Sequence, residues 1–196
     1  MGRRDCTYDN VQGILSPRAS AHDVNDIAIY AIHTNLDNIL ENGVNERIAK
    51  RLNLQELEIL KPIDSTNPEI GAGIVGYLKD KQATESFLTE VKTIMKAACL
   101  KHTKLTKSYV YKIGVCGGSG SFLLADAIAK ECDVFITSDF KYHQFFDAND
   151  QIIIADIGHY ETEQFTIDLL VEIINKKFSN FAAQYSKVNT NPVQYI

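Results

Sequence analysis

The sequence predicts an α/β fold with a mixed, largely parallel sheet flanked by helices. Apolar runs of strand length alternate with segments whose apolar residues recur at helical spacing, which is typical of α/β domains. Apolar residues make up 45% of the 196 residues, enough for a globular domain with a sizeable core. Residues 1–24 show no clear period, so we expect an atypical N-terminal extension followed by one α/β domain over residues 25–196, which could divide into two subdomains.

The first half of the domain contains three apolar runs and two amphipathic segments. Strands are predicted over residues 27–32, 57–63 and 71–78. Helices are predicted over residues 45–52 and 84–98. Residues 65–68 are typical of a loop, and Pro62 marks the end of the strand before them.

The second half repeats the alternation of strand and helix. Strands are predicted over residues 109–116, 133–138 and 152–156. Helices are predicted over residues 122–130, with Ser119 or Ser121 as the N-cap, and over residues 162–178.

Composition and charge exclude several classes of function. The net charge is −5 and there is no basic block, which argues against a dedicated nucleic-acid surface. No stretch approaches the ~18 apolar residues that span a bilayer, and the N-terminus has no apolar signal region. The four cysteines show no CxxC spacing, so reduced thiols and a cytoplasmic location are expected.

His159 and Glu163 follow a predicted strand and open a predicted helix. Residues four apart lie on one helix face, so the imidazole and the carboxylate point to the same place. Nitrogen with carboxylate oxygen suits zinc, manganese or iron. The alternative is an ordinary strand–helix junction whose carboxylates favour the helix N-terminus, and Glu161 fits that alternative well.

His33 and Asp37 repeat the same spacing after the first predicted strand. Taken alone, Asp37 is more simply a helix cap and His33 a surface histidine. Because the carboxyl ends of strands in an open α/β sheet meet at one edge, we expect this pair to approach His159 and Glu163. The two pairs together favour a metal.

Two further clusters stand at strand ends. Residues 114–122 are glycine-rich between a strand and a helix, and they predict a phosphate cradle or a tight turn about equally well. Asp139, Lys141 and His143 could act as acid, base or substrate clamp, or they could belong to a solvated loop.

The motifs together resemble one known family, the GTP cyclohydrolase 1 type 2 (Nif-three-like) family. They occur in the family's order and extend from about Asn25 to the C-terminus. They are His33-Thr-Asn-Leu-Asp37, Gly117-Gly-Ser-Gly-Ser121, Thr137-Ser-Asp-Phe-Lys-Tyr-His143, Gly158-His-Tyr-Glu-Thr-Glu163 and the closing Asn189-Thr-Asn-Pro-Val193.

This resemblance implies a two-metal site in an α/β fold of two similar halves, assembled as a homohexamer. Asp37, His159 and Glu163 would be metal ligands, and Glu163 could bridge two ions. His33 would sit beside the site and His143 near the same cleft, as candidate catalytic residues that move protons. A small-molecule substrate, such as a nucleotide, is the expected partner.

The sequence departs from the family pattern in one respect. The family has two adjacent histidines upstream of the His-Thr-Asn-Leu-Asp motif, and this sequence has no adjacent histidine pair. His22 is the one earlier histidine and does not match the pattern. We therefore expect an N-terminally incomplete member with a single, weaker or hydrated metal site in place of a two-metal site.

The resulting functional expectation is a metal-dependent hydrolase that activates water against a purine nucleotide or a related small molecule. Two alternatives stay open. One is a non-catalytic metal-binding scaffold or regulatory protein, and the other is an inactive, truncated family member.

Overall fold

The computed structural model describes residues 30–64 and 66–196, and its centre is a six-stranded mixed sheet. The strands pair in the order β1-β2-β4-β5-β6-β3. Their bounds are β1 Gln55–Asp64, β2 Asn67–Ala83, β3 Lys101–His102, β4 Tyr109–Ser119, β5 Val134–Ser138 and β6 Ile153–Asp156.

Helices flank this sheet. The α-helices are α1 Thr34–Asp37, α2 Val44–Arg51, α3 Thr84–Ile94, α4 Leu124–Ala129, α5 His159–Glu163 and α6 Thr166–Lys177. Two 3₁₀ segments cover Ser121–Leu123 and Tyr142–Ala148. Within residues 30–64 and 66–196, no helix has both the length and the apolar character needed to cross a bilayer.

The predicted mixed α/β fold is confirmed, but the sheet is not largely parallel as expected, because only two of its five described strand pairings are parallel. β4 runs parallel to β5, and β5 runs parallel to β6. The β1–β2, β2–β4 and β3–β6 pairings are antiparallel. β5 and β6 are buried along their whole length, which is characteristic of parallel strands covered on both faces.

The first two strands form a longer hairpin than the sequence suggested. The predicted loop over residues 65–68 is wrong for its last two positions, because Asn67 pairs with Asp64 and Pro68 lies within β2. Pro62 does not end β1 but pairs with Gly71. A proline is tolerated there because β1 is an edge strand, whose outer amides have no ladder partner to lose.

Three predicted element boundaries also moved. Of the predicted strand over residues 27–32, residues 27–29 lie outside the described part of the chain and residues 30–32 are not in a strand. The helix predicted over residues 84–98 ends at Ile94. The segment Ser121–Leu123 starts as a 3₁₀ turn with no side-chain cap, so neither predicted N-cap serine acts as one.

The range 162–178, predicted as one helix, contains the end of α5 and the whole of α6, with a break between them. Between them, the Gln164 side chain donates to the carbonyl of Met95 over 2.9 Å. Phe165 is buried there, with the Arg51 guanidinium 3.5 Å from its ring centroid. The helix is thus interrupted where Phe165 is buried against α2, and α5 is a short separate helix.

Candidate metal site and cleft

The parallel strands bring three polar segments to one edge of the sheet. Since β4, β5 and β6 run in the same direction, their carboxyl ends lie side by side. Gly118 lies near the end of β4, Asp139 follows β5, and α5 with His159 and Glu163 follows β6. The predicted convergence of these clusters is thus set by the strand order.

His159 lies between two carboxylates. Its Nδ1 is 2.6 Å from Oδ2 of Asp139, and its Nε2 is 3.4 Å from Oε2 of Glu163. A carboxylate only accepts, so Nδ1 carries the hydrogen and donates it to Asp139. Burial alone would lower the pKa of His159, but the hydrogen bond that His159 donates to Asp139 and the charge of Glu163 outweigh burial and raise that pKa. Asp139 therefore fixes the ring with Nε2 turned toward Glu163.

Asp37 and Glu163 are half-buried carboxylates whose charges are only partly compensated. Burial raises the pKa of Asp37, and the nearby His33 and His159 act in the opposite direction. Burial also raises the pKa of Glu163, with His159 lowering it and Asp37 raising it further. Two neighbouring carboxylates held away from water are stabilised as anions by a cation between them. This electrostatic arrangement favours a cation at the site.

Asp37 is held in place through its backbone. The buried Asn45 donates from its amide nitrogen to the carbonyl of Asp37 over 2.8 Å. The amide of Gly117 donates to the Asn45 side-chain oxygen, also over 2.8 Å. Asn45 thus connects α1 with β4. This connection holds Asp37 beside α5, although the two are far apart in the sequence.

Gly118 is the junction between β4, β5 and α5. Its amide donates to Thr162 Oγ1 over 2.8 Å, and its carbonyl accepts hydrogen bonds from Thr137 and Ser138. Its φ is +64°, and a Cβ there would overlap with Oε1 of Glu163. Glycine is favoured at this position by its backbone conformation, and a side chain there would displace the carboxylate of Glu163.

The hydrogen bonds of Gly117 and Gly118 favour the tight turn over the phosphate cradle for the glycine-rich segment. Residues 117–119 continue β4 in place of forming a loop at a helix N-terminus. The amides of Gly117 and Gly118 are engaged by Asn45 and Thr162, so neither is available to an anion. Of the two interpretations of this motif, the close-packed turn is the one that the hydrogen bonds support.

The neighbouring Cys116 is not a nucleophile in this arrangement. Burial, together with the charges of Asp37 and Glu163, raises the pKa of its thiol to about 12. The side chain is thus a neutral thiol at physiological pH and acts as a small apolar residue.

A cleft of about 600 Å³ opens beside α5. Its walls include His159, Glu163, Asp139 and Lys101, and the chain end around Tyr195 forms another side. The Tyr195 hydroxyl donates to Oε1 of the buried Glu161 over 3.4 Å. A volume of this size accommodates a mononucleotide or a ligand of similar size.

The structure brings most of the predicted site residues together. Asp37, His159 and Glu163 are neighbours, and the exposed His33 is close enough to act on the pKa of both Asp37 and Glu163. His143 is exposed, does not line this cleft, and packs edge-to-face on Tyr142.

Sequence reasoning did not identify two residues that position the site. Asp139 was one of several candidates in its motif, and nothing in the sequence indicated that it contacts His159 across 20 residues. Asn45 stands in a predicted helix without any motif, so only the three-dimensional contacts reveal its connection with Asp37.

The donor set fits a divalent metal of the zinc, manganese or iron type. One imidazole nitrogen and two carboxylates suit such an ion, and a carboxylate on the distal ring nitrogen is the usual orientation device of a histidine ligand. Among the residues the structure describes, no three His, Cys, Asp or Glu side chains are already clustered around a metal position. Residues 37, 159 and 163 are the donors that would hold such an ion.

The comparisons with known proteins agree on one family. The family described as Duf34/NIF3 (NGG1p interacting factor 3) matches residues 10–192, a range that begins upstream of the first recognisable motif. A Streptococcus pneumoniae protein named GTP cyclohydrolase 1 type 2 homolog is 31% identical over 180 residues, and a Nostoc protein of the same name is 33% identical over 150 residues. The crystal structure of a Staphylococcus aureus hypothetical protein superposes with a TM-score of 0.79 at 25% identity, covering 89% of this chain and 70% of that one.

The chain spans less than two thirds of the length of these curated relatives. The match covers 87% of this chain but 66% of the pneumococcal protein. For the Nostoc protein the corresponding shares are 75% and 56%.

Proposed function

Because this chain belongs to the Duf34/NIF3 (NGG1p interacting factor 3) family, we propose that it is a metal-binding, cyclohydrolase-like hydrolase. Its substrate would be a purine nucleotide or a related small molecule, and its reaction would be attack by activated water. The relatives named GTP cyclohydrolase 1 type 2 homolog support this reaction class.

The observation that carries the proposal is the arrangement around His159. Asp139 orients the imidazole so that Nε2 faces Glu163, and the half-buried Asp37 lies close enough to raise the pKa of Glu163. The three side chains stand at the carboxyl edge of the parallel strands, and His159 and Glu163 line a cleft large enough for a nucleotide.

Each residue would have a distinct part in the reaction. A divalent metal held by Asp37, His159 and Glu163 would supply Lewis-acid activation of water. Asp139 keeps His159 in the tautomer whose Nε2 can bind a metal. His33, exposed beside the two carboxylates, would accept and return protons between water and the substrate.

Several parts of the proposal rest on the family resemblance. His143 is a second candidate for proton transfer, although it lies outside the described cleft. A homohexameric assembly is proposed on the same basis. One metal ion per chain is proposed because this sequence has no adjacent histidine pair, and a cytoplasmic location because its cysteines show no CxxC spacing.

The test begins with metal content. The chain is purified, loaded separately with Zn²⁺, Mn²⁺ and Fe²⁺, and assayed for bound metal and for formate release from GTP. The exchange Glu163→Gln should remove metal binding and turnover, whereas Glu90→Gln, at an exposed position of α3, should change neither. A chain that retains no metal and releases no formate in any loaded form would overturn the proposal.

A non-catalytic metal-binding scaffold is the second candidate. It would use the same metal-binding residues as the first proposal, Asp37, His159 and Glu163, and would differ from it in catalysing no reaction. Under this alternative, Glu163→Gln would lose metal while partner binding persists, and the wild-type chain would hold metal without turning over any nucleotide.

A further inference from the structure

A second cleft, whose lining contains none of the proposed metal ligands, lies against β3. Its volume is also about 600 Å³. One side is formed by β3 and the residues after it, and the other by the 3₁₀ segment Tyr142–Ala148. Its floor includes the buried side chains of Ala148 and Ile152.

The wall from the 3₁₀ segment is aromatic. Tyr142 and Phe146 are 74% and 67% exposed, although large apolar side chains are usually shielded from water. Their rings contact edge-to-face with centroids 5.6 Å apart, and Phe145 lines the cleft beside them. Exposed aromatic rings at the mouth of a cleft are suited to stacking against a planar heterocycle.

The opposite edge is basic. Lys101, His102 and Lys104 all line the cleft, and Asp150 is the one acidic residue in the described lining. Lys104 makes no ion pair with any residue in the described ranges, whereas Lys101 reaches Asp156 over 2.9 Å. His102 Nδ1 donates to the carbonyl of Thr103 over 2.7 Å, which leaves its Nε2 as a hydrogen-bond acceptor at the cleft. In a chain of net charge −5, this edge is a local concentration of basic residues.

We infer that this second cleft binds a nucleoside phosphate. The base would stack on Tyr142 and Phe146, and the phosphate would be held by Lys104 with Lys101 beside it. Lys101 lines both clefts, so the phosphate end of a ligand here lies next to the cleft that contains His159. The inference goes beyond the proposed function, because none of its residues is a proposed metal ligand and binding needs no metal.

The basic edge argues against a two-fold symmetric contact of this face with a second copy of the chain. In a two-fold symmetric contact the same patch faces itself, which would bring Lys101 and Lys104 of each copy against those of the other. Such a contact would be repulsive. A small anionic ligand with a planar ring satisfies both the charge and the aromatic wall.

The experiment is calorimetric titration of the full chain in EDTA with guanosine monophosphate, guanosine and inorganic phosphate. The monophosphate should bind more tightly than either fragment, and it should bind Glu163→Gln as well as wild type. Lys104→Ala and Phe146→Ala should each weaken binding by about tenfold. Lys176→Ala, an exposed lysine of α6, is the matched control and should leave affinity unchanged.

The outcomes separate this inference from the metal-dependent function. Loss of turnover in Glu163→Gln with unchanged monophosphate binding supports a separate second cleft. Monophosphate binding unaffected by Lys104→Ala and Phe146→Ala would overturn the inference. So would a change in sedimentation behaviour in those variants without a change in affinity, since that would assign the face to self-association.

Discussion

Oδ2 of Asp139 lies 2.6 Å from Nδ1 of His159, and the backbone of Asp139 has a φ of +62°. A left-handed conformation is uncommon for a residue other than glycine, and it is maintained where the surroundings impose it. Here the conformation places the carboxylate just beyond the end of β5, facing α5. The backbone and the hydrogen bond together point to a residue that orients His159.

We expect Asp139→Asn to weaken metal binding by roughly 10- to 100-fold, the usual effect of removing such a partner of a histidine ligand. Asparagine tolerates the left-handed backbone, so the change affects the hydrogen bond more than the fold. Competition with a chromophoric chelator measures the affinity. Asp147→Asn, at an exposed position, serves as the control. If Asp139→Asn bound metal as tightly as Asp147→Asn, Asp139 would not be the residue that orients His159.

Gly118→Ala should abolish metal binding, because its methyl group would overlap with the carboxylate of Glu163. Gly73 has a similar φ of +65° and lies in β2 against Leu123, so Gly73→Ala carries a comparable backbone penalty of about 1 kcal/mol or more. Metal content and thermal unfolding are measured for both variants. Retention of metal by Gly118→Ala, or its loss in Gly73→Ala, would contradict the assignment.

Asn45→Ala should destabilise the chain by about 2 kcal/mol, since the Asp37 carbonyl and the Gly117 amide lose their partner. The same change should weaken metal binding by releasing Asp37. Urea unfolding gives the first quantity and chelator competition the second. Asn175→Ala, at an exposed position of α6, should leave both nearly unchanged.

The carboxyl group of Asp133 should make the stability of the folded chain fall as the pH is lowered. Burial acts to raise its pKa, but the hydrogen bonds from Lys107 and from the amides of Tyr111 and Lys112 outweigh burial and lower it. A carboxyl group whose pKa is lower in the folded state stabilises above its unfolded pKa of about 3.9 and loses that contribution as the pH falls through the folded value.

The variant Asp133→Asn should therefore be less stable than wild type by roughly 2 kcal/mol at pH 7, as expected for hydrogen bonds to a charged group. The difference should hold down to about pH 5 and then shrink as the wild-type carboxylate is protonated. Urea unfolding of both chains between pH 3 and pH 7 measures it. A difference that grows on acidification would reverse the sign and refute the assignment.

Local patterns predicted some elements well and others poorly. The buried runs that became β5 and β6 were recognisable because a strand covered on both faces is apolar throughout. The break between α5 and α6 was not, because it accompanies the burial of Phe165 against Arg51 and the hydrogen bond between Gln164 and Met95. Those contacts join residues far apart in the chain, and no short window of sequence contains them.

The sequence by itself determined the alternation of strands and helices, the family, and the pairing of His159 with Glu163 on one helix face, since all three depend on spacing along the chain. Only the tertiary structure decided that Asp139 contacts His159, that Asn45 anchors Asp37, and that Gly118 makes room for Glu163. The parallel order of β4, β5 and β6 is the physical reason, because it places the ends of distant segments side by side. The tertiary fold also pairs the amides of Gly117 and Gly118 with side chains, and it forms the second cleft with its basic edge and aromatic wall.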